Sequence, residues 1–237
     1  MDTNKPQVGY TKAQYVRPFI PNIFPDYDSY LWIDSDAWVQ DPRCIDNWLD
    51  TVRRFPEKLC VSPTVDVGYQ KFYQNYQGYL EDYQRVYRIC YDQVVADEMR
   101  GRAVFSSGVF AMSGQTTLWQ AWRDQLPIVY SKDYTANPDA LHIAEQLALN
   151  VVAYRTGLYV PVDASHNFHC HAGSQVVRDP ASGKAVLGDQ PQRNLGIIHL
   201  SDFPHEKQRY INEGLLWDGG RYLSHSELEG LNAYQRK

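Results

Sequence analysis

Two aspartates stand one residue apart, at 34 and 36, directly after the apolar run Tyr-Leu-Trp-Ile at 30–33. In an extended segment, side chains i and i+2 project to the same side, so both carboxylates point together and Ser35 turns away. Carboxylates that close repel each other unless a positive charge lies between them. A divalent cation meets that need. Mg2+ and Mn2+ prefer oxygen ligands, and Mg2+ is commonly held by one or two carboxylates together with substrate phosphates. Asp34 and Asp36 therefore read as a seat for a metal-chelated diphosphate. The plainer reading has one aspartate capping a turn and the other solvated. A second concentration of ligands lies in His-Asn-Phe-His-Cys-His at 166–171, where His166, His169, Cys170 and His171 are of the type zinc accepts. Ligands so crowded along one loop seldom close a tetrahedron.

The elements that must position these groups follow from patterning. The run at 30–33 is too short for a helix and reads as a buried strand. Residues 44–56 carry apolar side chains at 45, 48, 49 and 52, which is helical spacing, closed by Pro56. Residues 58–63 read as a second strand. Tyrosines then recur at 69, 73, 76, 79, 83, 87 and 91, in steps of three and four that place them on one helical face. That face serves either as packing surface or as an aromatic acceptor-binding surface. Residues 103–114 read as a strand with Gly108 inside it, and a strand glycine often marks close approach of a ligand or backbone. Residues 137–157 read as a helix with Asn137 as cap, Pro138 in the first turn and Gly157 at the end. Strands are expected at 158–162 and 195–200, with a turn-rich surface hairpin between them. Interleaved helices and strands predict one α/β domain over residues 1–237, in which ligands bind beyond the carboxyl ends of the strands. Asp34 and Asp36 belong to that edge.

Composition narrows the function classes. The 237 residues are 43% hydrophobic and 22% charged, an ordinary globular balance. A formal net charge of -5 argues against a non-specific nucleic-acid binder. The 18 tyrosines and 6 tryptophans suit either sugar handling or an aromatic core. Four cysteines, Cys44, Cys60, Cys90 and Cys170, include no C-x-x-C pair and read as reduced and structural. No apolar run reaches the length of a transmembrane helix, and the polar N-terminus lacks a signal core, so a cytoplasmic protein is expected.

The stretch YVRPFIPNIFPDYDSYLWIDSDAWV (15–39) resembles the segment leading into the D-x-D motif of GT-A glycosyltransferases, and looks most like family 8, which includes glycogenin and bacterial lipopolysaccharide glucosyl- and galactosyltransferases. Arg17 matches the arginine of the family's Y-x-R segment. Further segments follow in the family's order. FSSGVFAM (105–112) resembles the F-N-[AS]-G-V strand, with Ser106 where asparagine is usual. EQLALN (145–150) resembles the D-Q-x-x-L-N helix, with Glu145 replacing aspartate. YVPVDASHNF (159–168) resembles the L-P-x-x-[WY]-N turn, ending at Asn167. IIHL and SDFPHEK (197–207) resemble the H-x-x-G-x-x-K segment: His199 matches, Asp202 and His205 replace glycine and lysine, and Lys207 falls two residues late.

The resemblance implies a metal-dependent hexosyltransferase that moves a sugar, with retention of configuration, from a nucleotide-diphosphate donor such as a UDP-hexose to a carbohydrate or protein acceptor. It implies Mn2+ or Mg2+ on Asp34, Asp36 and His199. It places Arg17, Ser35, Ser106, Ser107, Gly108 and Lys207 around the donor, and Glu145 and Gln146 toward its anomeric carbon. The family's first strands precede its arginine segment, whereas 16 residues precede Arg17 here. The resemblance therefore implies a mixed sheet flanked by helices that is N-terminally incomplete, with an open edge prone to self-association. Rival readings are a non-catalytic or fragmentary protein of the same fold, and a haloacid-dehalogenase-type phosphatase. The latter also needs a later acidic pair at a strand end, and none is evident.

Overall fold

A computed structural model of the chain describes residues 9–170, 176–179, 181–188 and 190–200. Strands β1 (Ser29–Ile33), β3 (Leu59–Pro63), β4 (Phe105–Ser113) and β5 (Tyr159–Pro161) form one sheet in the order β1-β4-β3-β5. β4 runs antiparallel to both its neighbours, and β5 runs parallel to β3. A second sheet has the order β2-β10-β6, made of β2 (Ala37–Val39), β10 (Ile197–His199) and β6 (Phe168–His169). β10 is antiparallel to β2 and parallel to β6. The expected hairpin between the last strands is a third sheet, β7 (Val176–Arg178), β8 (Ala185–Leu187) and β9 (Gln190–Asn194), antiparallel throughout. The architecture is mixed α/β, with mixed sheets flanked by helices. No helix among the described residues is long and apolar enough to cross a membrane.

The strand period of two sorts side chains between the layers that cover the first sheet. On one face Val109 and Ala111 of β4, Leu31 and Ile33 of β1 and Cys60 of β3 meet Cys44, Trp48 and Val52 of α3 (Arg43–Arg54). On the other face Phe110 and Met112, Tyr30 and Trp32, and Leu59 and Val61 meet the larger core. That core is built by α5 (Tyr76–Cys90), α6 (Gln93–Glu98), α7 (Leu118–Tyr130) and α8 (Pro138–Thr156). Every residue of β4 is buried because both faces are covered. α8 ends as expected: Gly157 adopts φ +68, a left-handed conformation that glycine takes without a Cβ penalty. Asn137 precedes α8 but makes no side-chain capping bond.

The tyrosine series divides. α4 (Gln70–Gln74) stops at Asn75, whose side chain accepts from Gly78 N and starts α5. Tyr69, Tyr87 and Tyr91 are buried, Tyr79 and Tyr83 half-buried, while Tyr73 and Tyr76 are 54% and 47% exposed. One stripe thus packs, while Tyr73 and Tyr76, on either side of the break at Asn75, face solvent.

The small sheets are fastened to the large one and to each other by side chains. Arg193 forms ion pairs with Asp66, after β3, and with Asp163, after β5, the latter at 3.0 Å. The Gln40 carboxamide donates to Ala185 O and Leu195 O, both at 2.9 Å, and accepts from Ala185 N at 2.6 Å. Cys44, Cys60, Cys90 and Cys170 are all buried free thiols. Burial pushes Cys44 and Cys90 up to about 11 and Cys60 up to about 12.

Candidate functional site

β1 ends at Ile33, and the next residue still pairs with β4: Asp34 N donates to Gly108 O at 2.8 Å. The chain then turns, with Ala37 N donating to Asp34 O at 3.0 Å, and enters β2 in the second sheet. The segment is a tight turn, not the extended run expected from the sequence, because it must carry the chain from one sheet to another. The turn still gathers both carboxylates. Ala37 pairs with His199, and Leu200 N donates to Asp36 O at 3.0 Å, so β10 presents its histidine to the turn. Ligating atoms of Asp34, Asp36 and His199 lie within 4.8 Å of one another, the one such grouping among the described residues. His199 Nε2 faces Asp36 Oδ1 at 3.3 Å. The site therefore straddles two sheets, at the carboxyl end of β1.

Behind the aspartates lies a buried ionic cluster. Arg17, in a 3-10 turn (Arg17–Phe19) that follows α1 (Gly9–Val16), sends Nη2 to both Asp34 oxygens at 2.6 and 2.7 Å. Its Nη1 donates to Glu145 Oε2 at 2.5 Å and to Ser107 Oγ at 2.8 Å. Ser107 Oγ also donates to Glu145 Oε2 at 3.1 Å, and Ser107 N donates to Gln146 Oε1 at 3.1 Å. Trp32 Nε1 donates to Asp34 Oδ1 at 2.5 Å, and the Trp32 ring lies 5.5 Å from the Arg17 guanidinium carbon. Asn150 clasps β4, accepting from Phe105 N at 2.7 Å and donating to Phe105 O at 2.8 Å. These bonds fix α8 against the strand that carries Ser106, Ser107 and Gly108.

The charges respond to this arrangement. One guanidinium faces two carboxylates. Burial pushes Glu145 up to about 7, against the pull of Arg17 and the Ser107 hydroxyl. Burial opposes the charge on Arg17, but Glu145 and Asp34 outweigh it and hold the guanidinium above its ordinary value. Burial also opposes ionisation of Asp36, yet the hydrogen bond and charge of His199 set its carboxyl below the usual range.

Each residue expected at the site has a definite place. Asp34, Asp36, His199, Arg17 and Ser107 converge as described. Ser35 is exposed at the turn. Ser106 is buried, its Oγ accepting from Gly108 N at 3.2 Å. Gly108 is needed for close approach: a Cβ there would run into His199 Cε1 and come within 2.9 Å of Asp34 Oδ2. Glu145, expected toward the donor's anomeric carbon, is 0% exposed and enclosed behind Arg17. Gln146 is half-buried beside Ser107. Lys207 lies outside the described residues, as does His171 of the zinc-type run. His166 is engaged by Asn47 Nδ2 at 2.8 Å and by Ser165 Oγ at 3.1 Å. Trp32 is a contributor that sequence reading missed, although its place two residues before Asp34 puts it on the same side of the strand.

Two carboxylates and an imidazole are a donor set able to hold a divalent cation, and the bare Gly108 Cα keeps the wall of β4 clear of them. Comparison of the chain with protein-family models, with curated proteins and with solved structures finds no match.

Proposed function

We propose that the chain is a metal-dependent glycosyltransferase of the GT-A type, moving a hexose with retention from a nucleotide-diphosphate donor such as a UDP-hexose to a carbohydrate or protein acceptor. The observation that carries the reading is the convergence of Asp34, Asp36 and His199. His199 is far from the two aspartates in sequence, all three lie in segments that resemble family motifs, and their ligating atoms sit within 4.8 Å at the end of a strand. Asp34, Asp36 and His199 hold the cation. When bound, Mn2+ or Mg2+ supplies Lewis-acid neutralisation of the departing nucleotide diphosphate.

The chain's own residues divide the remaining work. Arg17 orients the Asp34 carboxylate through its paired bonds, which are charge-assisted and so among the stronger hydrogen bonds available. Glu145 and Ser107 hold Arg17 from behind and act as positioning groups. Trp32 fixes the Asp34 carboxylate from the side. Gly108 and exposed Ser35 border the space in front of the aspartates, where the donor's diphosphate and sugar belong. The acceptor approaches from the same open edge.

The test is calorimetric titration of Mn2+, then of UDP-glucose and UDP-galactose with Mn2+, into the chain and into Asp34→Asn and Asp36→Asn, with release of UDP as the turnover readout. Both substitutions are expected to abolish Mn2+-dependent donor binding. Asp34→Asn should also destabilise the fold by roughly 1–3 kcal/mol, because it removes one of the two carboxylates opposite buried Arg17. Equal Mn2+ and donor affinity in all three proteins would sink the reading.

A further inference from the structure

A metal-binding histidine is useful only if the correct ring nitrogen carries the lone pair, and the group bonded to the other nitrogen decides that. For His199 that group is Asn167. The Asn167 carboxamide oxygen lies 2.8 Å from His199 Nδ1, and its nitrogen lies 3.3 Å from His169 Nε2. The two imidazole rings are 4.7 Å apart. Asn167 is 0% exposed, and both histidines are buried. Its backbone is fixed in turn: the Tyr69 hydroxyl donates to Asn167 O at 3.3 Å and accepts from His169 N at 3.2 Å. Tyr69 is itself fully buried and stacked on Phe168, with ring centroids 5.1 Å apart.

We infer that Asn167, held by Tyr69, is a positioning residue that selects the Nδ1–H tautomer of His199 and so aims the Nε2 lone pair at the metal seat beside Asp36. An amide oxygen can only accept, so Nδ1 must donate to it. With Nδ1 donating to Asn167, Nε2 is the nitrogen that faces the Asp36 carboxylate, 3.3 Å away. A cation seated between them meets the Nε2 lone pair and the carboxylate together. The amide nitrogen can only donate, so His169 Nε2 must be an acceptor, and donation runs one way from His199 through Asn167 to His169. The sequence between 165 and 170 thus contributes a relay that sets the chemistry of a residue in another strand. The inference rests on the metal reading and adds the part of the chain that makes His199 competent.

Nitrogen-15 imidazole NMR on the metal-free chain reads the tautomer directly. His199 is expected to keep Nδ1 protonated in the wild type, and to lose that preference in Asn167→Leu. Mn2+ affinity, read by calorimetry and by the electron paramagnetic resonance of bound Mn2+, should fall about 10- to 100-fold in Asn167→Leu. It should return to within about 3-fold of wild type in Asn167→Asp, which restores the acceptor oxygen. Tyr69→Phe, which keeps the ring and loses both hydroxyl bonds, should weaken Mn2+ binding less than Asn167→Leu does. The opposite tautomer in the wild type, or unchanged Mn2+ affinity in a folded Asn167→Leu, overturns the inference while leaving the metal seat standing. Failure of the wild type to bind Mn2+ removes the metal reading, and this inference with it. If Asn167→Leu does not fold, the wild-type tautomer and the Tyr69→Phe affinity still decide.

Discussion

Glu145 carries a charge problem that pH can expose. Its carboxyl is enclosed, shares Arg17 with Asp34, and is pushed up from 4.5 to about 7 by burial. Between those values the native state binds more protons than the unfolded chain, so this group makes stability fall as pH rises through the window and level off above it. One proton accounts for a slope of at most about 1.4 kcal/mol per pH unit. Urea denaturation at pH 5 and pH 7.5 should show that decline in the wild type, and Glu145→Gln should flatten it. Equal pH dependence in the two proteins would disprove the account. The residue also marks what sequence can and cannot reveal. Asp34 and Asp36 were legible because spacing alone makes a carboxylate pair. His199 and Glu145 were not, since a single histidine in a strand or a glutamate in a helix is ordinary, and only resemblance singled them out. The bond that encloses Glu145 joins residues 128 apart, and no local pattern encodes it.

Elements set the distances that the site depends on. β4 and β10 come close only because residue 108 has no side chain. Gly108→Ala would push the added methyl against His199 Cε1 and Asp34 Oδ2. Overpacking of this kind costs roughly 1–3 kcal/mol. The substitution is expected to lower the melting temperature and to abolish Mn2+ binding together, and a stable variant with wild-type Mn2+ affinity would contradict the crowding argument. The tyrosine helix invites a paired comparison. Tyr87 is buried in the larger core, while Tyr76 is 47% exposed. Tyr87→Ala should cost about 3–5 kcal/mol, as buried aromatic truncations do. Tyr76→Ala should stay within about 1 kcal/mol, and similar losses in urea denaturation would refute the division. The spacing of the tyrosines announced a helical face, but the break at Asn75 was hidden because a polar residue in a helix can be either surface or cap. β2 and β6 were hidden as well: strands so short have no readable alternation, and their pairing with β10 is decided by chain reversal far away in sequence.

At the scale of the whole molecule, the aspartate turn joins the two sheets, and the core is divided into separate clusters. The interleaving of helix and strand patterns made the α/β class legible, whereas the division into sheets depended on long-range contacts such as those of Arg193 and Gln40. The four buried cysteines fall one or two to a cluster. Cys44 and Cys60 lie in the layer under α3, Cys90 in the layer under α7 and α8, and Cys170 with Phe168 and Leu187. Alkylation requires a thiolate that the reagent can reach. Buried thiols should resist iodoacetamide until their own cluster opens, so the chain carries a built-in set of clocks, one for each cluster. Under mild urea, with modified peptides weighed by mass spectrometry over time, Cys90 should label last because its cluster is the largest. Simultaneous labelling of all four sites would mean that the clusters open as a single cooperative unit, and early labelling of Cys90 would mean that the helical layer detaches before the small sheets do.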